Sequence, residues 1–329
     1  MKDFKLIKRI ENMVKPLDIA TLQLIAPMAN YIPKRFQNQV IENTAGDNPY
    51  MAFIVEPYAT FLFYEIIDLE WAERLIPDGF ELVKTKIFED DTPKYYAIFG
   101  SFKVSTSAFA GVRLETNIIA RNKTNNLIIW VIVDYDTNTV SHDKSKGIVS
   151  STTEQAIFTT DFRGNIIVDI DNPKRDRSLI FDVDTKNSKL QKLDRDLWQE
   201  GNLSVGYGRE ISENTKSAFS LKFDTREVET AFEIPLENIN IEKNTWFDGL
   251  FDKTVKHAVY FPYAQHYLSD APGFYSKIES VEDMVESVKN LDIDSIPDYS
   301  AKTHRKMIKT GLILNTLFIF TLITLLILK

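Results

Sequence analysis

The end of the chain sets what the rest can be. Gly311 to Leu328 is a run of 18 residues without a charge, thirteen of them Leu, Ile or Phe. As a helix it spans roughly 27 Å at about 1.5 Å per residue, close to the hydrocarbon thickness of about 30 Å in a bilayer. Each Leu, Ile or Phe is worth about −0.3 to −0.6 kcal/mol at the centre of an inserting helix, roughly −4 to −8 kcal/mol together. That outweighs Asn315 and three threonines, whose hydroxyls can bond back to helix carbonyls. A buried core helix is the alternative, but few core helices lack a polar face. Immediately upstream, Lys302, Arg305, Lys306 and Lys309 stand with no acid, and only Lys329 follows the run. Positive charge stays on the cytoplasmic side, so the expectation is a single-pass tail anchor with the N-terminal body in the cytoplasm.

Charge divides the chain further. Residues 1–35 hold seven basic and three acidic residues, and 301–329 hold five basic and none acidic. The net charge of −8 therefore leaves −17 on residues 36–300. A body so acidic repels nucleic acid, whereas the basic ends suit an anionic bilayer surface, the first expected partner. There is no cysteine and there are four histidines without paired spacing, so neither a disulfide framework nor a metal site is expected, and no cofactor. The expected segments are 1–35 as a basic helical part, 36–290 as one β domain, 291–310 as linker with basic flank, and 311–328 as the anchor.

In the first segment Phe4, Ile7, Ile10 (or Glu11), Met13, Val14 and Leu17 follow helical spacing, which fits either a helix lying on the bilayer or one packed on the domain. From Tyr50 the pattern turns to strands: Met51–Val55, Thr60–Ile67, Phe80–Phe88, Tyr95–Val104, Val112–Ala120 and Leu127–Tyr135 are apolar, aromatic and β-branched. Leu69–Ile76 reads as a short helix stopped by Pro77-Asp-Gly79. Strands continue at Ala156–Asp161, Asn165–Ile170, Leu179–Val183, Leu203–Arg209, Ala218–Phe223, Glu227–Ile234 and Val255–Tyr260. Helices are expected at Ser188–Glu200 and Ser280–Leu291, and Phe261–Tyr275 reads as irregular. Sequential strands in this number imply a mainly β fold, an antiparallel barrel or two-sheet sandwich with few helices.

Three stretches resemble the acetoacetate decarboxylase-like superfamily: Leu69-Glu-Trp-Ala-Glu-Arg-Leu-Ile-Pro-Asp-Gly-Phe-Glu-Leu82, Gly111-Val-Arg-Leu-Glu-Thr-Asn-Ile118 and His257-Ala-Val-Tyr-Phe-Pro262. The order of elements over Phe61–Ile170 carries the resemblance, with His257–Pro262 similar to the family's late strand, and it implies a barrel in which a later strand carries an Arg/Glu pair facing a cavity. It departs at the nucleophile. The family's decarboxylases use a lysine of a Gly-x-Pro-Lys-type motif, made neutral beside another cation so that it forms a Schiff base. The corresponding Asp143-Lys-Ser-Lys-Gly-Ile-Val-Ser-Ser151 has neither proline nor lysine after Gly147, and Lys144 and Lys146 stand in a polar, turn-like stretch.

Arg113 and Glu115 are the leading site candidates. Two apart on a strand, they share one face, with Val112, Leu114, Thr116 and Ile118 on the other. Inside a lumen the arginine fork would hold a carboxylate ligand and the glutamate would act as acid or base. Outside, they would be an ordinary cross-strand ion pair. His266 and Tyr263, in the irregular aromatic stretch, are expected at a cavity mouth as ligand-binding residues. Asp134 and Asp136 read as turn caps at a strand end. Three functions follow: a membrane-tethered barrel binding a small carboxylated or lipid-like metabolite, with lyase or hydrolase chemistry left open; a scaffold without catalysis; or a decarboxylase with an unconventional lysine.

Overall fold

The structure, a computed structural model, describes residues 4–39, 49–143, 147–149, 151–208, 218–270, 278–297 and 300–327. Two helices come first, α1 (Lys5–Met13) and α2 (Pro16–Ile25), and a 3-10 helix follows at Ala26–Tyr31. The strands β1 (Tyr50–Val55) and β2 (Thr60–Ile66) precede α3 (Leu69–Leu75), which starts where Asp68 accepts a hydrogen bond from the Trp71 amide, and β3 (Phe80–Leu82). Then come β4 (Tyr96–Thr106), β5 (Ala110–Asn122), β6 (Ile128–Thr137), β7 (Ser141–Asp143) and β8 (Gly147–Val149). Next are β9 (Gln155–Thr160), β10 (Ile166–Asn172), β11 (Arg177–Val183), β12 (Lys189–Lys192) and β13 (Ser204–Tyr207). The last are β14 (Ala218–Phe223), β15 (Thr230–Glu233), β16 (Ile239–Asn244), β17 (Phe251–Tyr260) and β18 (Gln265–Asp270). The helices α4 (Val281–Asn290) and α5 (Lys302–Ile327) end the chain.

Among the described residues seven strands close on themselves in the order β4-β1-β18-β14-β13-β6-β5 and back to β4. All pairings in the ring are antiparallel except β13 with β6. Closure removes the sheet edges that an open sheet would present to other chains. The 11 residues of β4 serve two neighbours on one side: β1 pairs with its second half and β2 with its first. From β2 a wing of β17, β15 and β12 leaves the ring.

A second sheet, β16-β11-β10-β9, lies against the outside of the barrel. Its strands alternate: Ile166, Val168 and Ile170 are buried on β10, and Leu179, Phe181 and Val183 on β11. They pack on Phe99, Val112, Leu114, Ile118 and Val131 of the barrel wall. Fully burying a side chain of this kind contributes about 1.5–3 kcal/mol, so this layer is a main source of stability. Asp134 and Asp136 lock the layers together rather than capping a turn. Arg175 Nη2 donates to Asp134 at 2.7 Å and 2.5 Å, Arg177 also pairs with Asp134, and Asn172 Nδ2 donates to Asp136 at 2.7 Å.

The α1 helix packs on the domain. Leu6, Ile10 and Met13 bury against Ala52, Ile54 and Leu268 on the outer face of β1 and β18. The apolar spacing read through Leu17 breaks at Pro16, where α2 begins. Leu17, Leu24, Met28 and Tyr31 are left exposed, Tyr31 at 90%. Two other expectations change. Ser188–Glu200 is not one helix but the strand β12 followed by a short π-helical turn at Asp196–Glu200, and the stretch read as irregular contains β18. The 26-residue α5 has a mean hydropathy of 2.2 over its most apolar 18-residue window, and none of that window is buried, so it is long and apolar enough to cross a membrane.

Candidate functional site

A cavity of about 990 Å³ runs from the barrel interior outward between α2 and α5, at the upper end of the roughly 300–1,000 Å³ usual for small-molecule sites. Its floor is aromatic. Phe61 meets Trp130 and Trp198 edge-on with ring centres 6.1 and 5.4 Å away. Both indole N–H groups are already engaged, Trp130 Nε1 with the Leu197 carbonyl and Trp198 Nε1 with the Ile87 carbonyl, each at 3.0 Å. What the floor presents is therefore carbon. Gly100 makes room for it, because a Cβ there would come within 3.0 Å of the Phe61 ring.

Arg113, Glu115 and Asn117 line one wall, as alternation along β5 dictates. Arg113 stands three residues, roughly 10 Å, in from Ala110 at the end of the strand. Its side chain is 3% exposed and that of Glu115 12%. The guanidinium Nε donates to Glu115 Oε1, Nη1 to Ser141 Oγ at 3.3 Å, and Nη2 to the Tyr207 hydroxyl at 2.9 Å. It also lies over the Tyr135 ring, 4.4 Å from its centre. Burial pulls the Arg113 pKa down, but Tyr207, Glu115 and Tyr135 raise it by more, and the group stays above its ordinary value. Asn117 is 2% exposed, and its Oδ1 accepts no hydrogen bond from the described residues.

Tyr135 reaches the lumen through an irregularity. The β5–β6 register pairs Thr116 with Asp134 but Asn117 with Ile132, so Val133 is an extra residue. Such a bulge reverses which face each later side chain takes. Trp130 and Ile132 line the cavity before it. After it Tyr135 meets Arg113, and Asp134 and Asp136 turn outward to the second sheet.

The structure brings Arg113 and Glu115 together in the cavity and leaves His266 and Tyr263 outside it. On β18 it is Gln265, Tyr267 and Ser269 that face in, so His266 faces out. His266 Nδ1 pairs with Glu227 Oε1 at 2.8 Å and Nε2 with Glu11 Oε1 of α1 at 2.9 Å. The Tyr263 hydroxyl donates to the Thr230 carbonyl at 3.0 Å. Both were misplaced because the stretch that carries them reads as a loop. Of the residues not anticipated, Asn117 continues the 113–115 alternation and was there to be found. Tyr135, Tyr207 and Ser141 arrive through the bulge and through distant pairing, which no local pattern announces.

His266 thus fastens the N-terminal helix. Burial lowers its pKa, but the hydrogen bonds to Glu227 and Glu11 outweigh this and raise it above 6.5. The stabilisation is then complete below about pH 6.5 and is lost as pH rises through the raised native value. The gap in melting temperature between wild type and His266→Gln is expected to narrow from about pH 6 to about pH 9. A gap constant over that range would contradict the assignment.

No lysine among the described residues lines the cavity. Lys144 and Lys146 lie outside the described residues.

No family model matches the sequence, and no curated protein does. Solved structures do. The acetoacetate decarboxylase of Legionella pneumophila shares 9% identity, with 69% of this chain and 86% of that one covered and a TM-score of 0.39. An acetoacetate decarboxylase-like enzyme from Sphingomonas wittichii shares 9% over 70% and 95%, with a TM-score of 0.41. The enduracididine biosynthesis enzyme MppR, with HEPES buffer bound, shares 8% over 68% and 86%, with a TM-score of 0.40. In fold alone, the chain is thus similar to an acetoacetate decarboxylase, to an acetoacetate decarboxylase-like enzyme and to MppR.

Proposed function

We propose that this protein is a membrane-tethered binding protein whose barrel holds a small amphipathic, lipid-like molecule at the cytoplasmic face of a bilayer. The observation that carries the reading is the row Arg113, Glu115, Asn117 in the wall of an otherwise largely apolar cavity. An aromatic floor suits a hydrocarbon chain, and the row supplies donors and acceptors for one polar head. Of the two ligand classes considered, lipid-like fits better than carboxylated. Glu115 already neutralises Arg113, and a ligand carboxylate would meet a like charge beside it. A cavity that enters the barrel as far as Trp130 and Trp198 also weighs against the scaffold reading, which expects large side chains to fill the lumen. α5 supplies the tether, with Lys302, Lys306 and Lys309 toward anionic lipid while Arg305 pairs with Asp18 of α2. The exposed Leu17, Leu24, Met28 and Tyr31 then rest at the interface.

Monoolein added to the full chain in phosphatidylcholine nanodiscs is expected to raise its melting temperature by about 5 °C near a hundredfold excess over Kd. Val205→Trp places a large ring in the lumen from β13 and is expected to fold and show no such shift. No shift in wild type would overturn the reading. A decarboxylase with an unconventional lysine would instead give a covalent adduct with a keto acid and borohydride, and none is expected.

A further inference from the structure

We propose that the cavity is loaded sideways from the bilayer, between α2 and α5, and that its occupant is an uncharged lipid bearing a hydroxyl or amide. This rests on the reading above, that the cavity binds an amphiphile, and adds the route and the chemistry of the head group.

The route follows from what forms the wall. The lining of the cavity does not stop at the barrel rim. It continues over Leu22 and Ile25 of α2 and Met28 and Ile32 beyond it, and over His304, Met307, Ile308, Gly311, Leu312 and Asn315 of α5. These α5 residues run from within the basic flank to the first turn beyond it, where the helix passes from the head-group level into hydrocarbon. An entrance facing water would be expected to carry mainly polar side chains, and of the residues on the two sides of this one only His304 and Asn315 are polar. Ion pairing of Arg305 with Asp18 sets α5 beside α2 at this level. Gly311 stands in the gap, and a Cβ built on it would meet no atom within 4 Å. There is room here for a chain to pass.

The head group follows from what waits inside. The Arg113–Glu115 pair is neutral as a unit, so a charged head would have to displace one partner of a buried pair. Asn117 Oδ1 is an acceptor that the described residues leave unsatisfied, and a buried acceptor of this kind is costly unless something donates to it. A hydroxyl or amide hydrogen would satisfy Asn117 while its oxygen accepts from the guanidinium. A carboxylate has no hydrogen to give.

The test uses the full chain in phosphatidylcholine vesicles containing a monoacylglycerol with two bromines on its acyl chain, which quench tryptophan on contact. Of the four tryptophans, 71, 130, 198 and 246, only Trp130 and Trp198 line the cavity. The expected result is partial quenching from those two, with Gly311→Phe slowing its onset roughly tenfold and leaving the end point unchanged. Met28→Phe, on the opposite side of the gap, repeats the test if Gly311→Phe does not fold. Quenching at the same rate in wild type and both variants would overturn the lateral route and leave ligand binding standing. Stronger quenching by the dibromo fatty acid in its carboxylate form would overturn the head-group assignment. No quenching in any protein at equilibrium would remove both the route and the binding reading.

Discussion

Arg113→Ala is expected to destabilise the fold by about 3–5 kcal/mol, the usual loss when one partner of a buried ion pair is removed. The reason lies with what remains. Glu115 is left without its partner at 12% exposure in the wall of an apolar cavity, and Tyr207 and Ser141 lose the donor they share. For a body of this size that is a fall in melting temperature of roughly 10 °C. The double variant Arg113→Met with Glu115→Leu is expected to melt near wild type, because replacing a buried pair by apolar side chains is often neutral or stabilising. If the double variant binds no monoolein while melting normally, the pair serves the ligand rather than the fold. A single variant that melts within about 1 °C of wild type would mean that the pair is solvated, like an exposed one.

The second large effect concerns location. Deleting residues 301–329 is expected to move nearly all of the protein from carbonate-washed membranes to the supernatant. The thirteen Leu, Ile and Phe of the terminal run supply roughly −4 to −8 kcal/mol for insertion, and nothing else in the chain approaches that. The exposed Leu17, Leu24, Met28 and Tyr31 give only weak, reversible adhesion of the kind an interfacial patch supports. Truncation also uncovers Asp18, which is 3% exposed and pairs with Arg305. Some loss of stability in the truncated chain is therefore expected alongside its release. Membrane retention unchanged by the deletion would show that α5 is not the anchor.

How far the sequence alone reached depended on how local each feature is. Runs of apolar, aromatic and β-branched residues are local, and they identified β4, β5 and β6 within a residue or two at each end, while period-two spacing put Arg113 and Glu115 on the face opposite Val112 and Leu114. The terminal apolar run is equally local. The extra residue Val133 was not legible, because Trp130-Val-Ile-Val-Asp-Tyr-Asp136 reads as one continuous strand with nothing to mark an inserted residue. With it went the outward turn of Asp134 and Asp136 and the contact of Tyr135 with Arg113. β18 was missed for a related reason. Gln265, His266, Ser269 and Asp270 are polar yet buried, each held by neighbours that lie far off in sequence, so composition said loop where tertiary pairing made a strand. The leucines of Ser188–Glu200 have helical spacing, but Lys189–Lys192 is taken up by pairing with β15.

Whether an uncharged lipid occupies the barrel is tested most directly by native mass spectrometry of the full chain, ejected from membrane vesicles of the cells that express it. The expected spectrum is the chain carrying one neutral adduct of lipid mass, absent from Val205→Trp. Bare chain in both proteins, under conditions that preserve a known lipid complex, would contradict it.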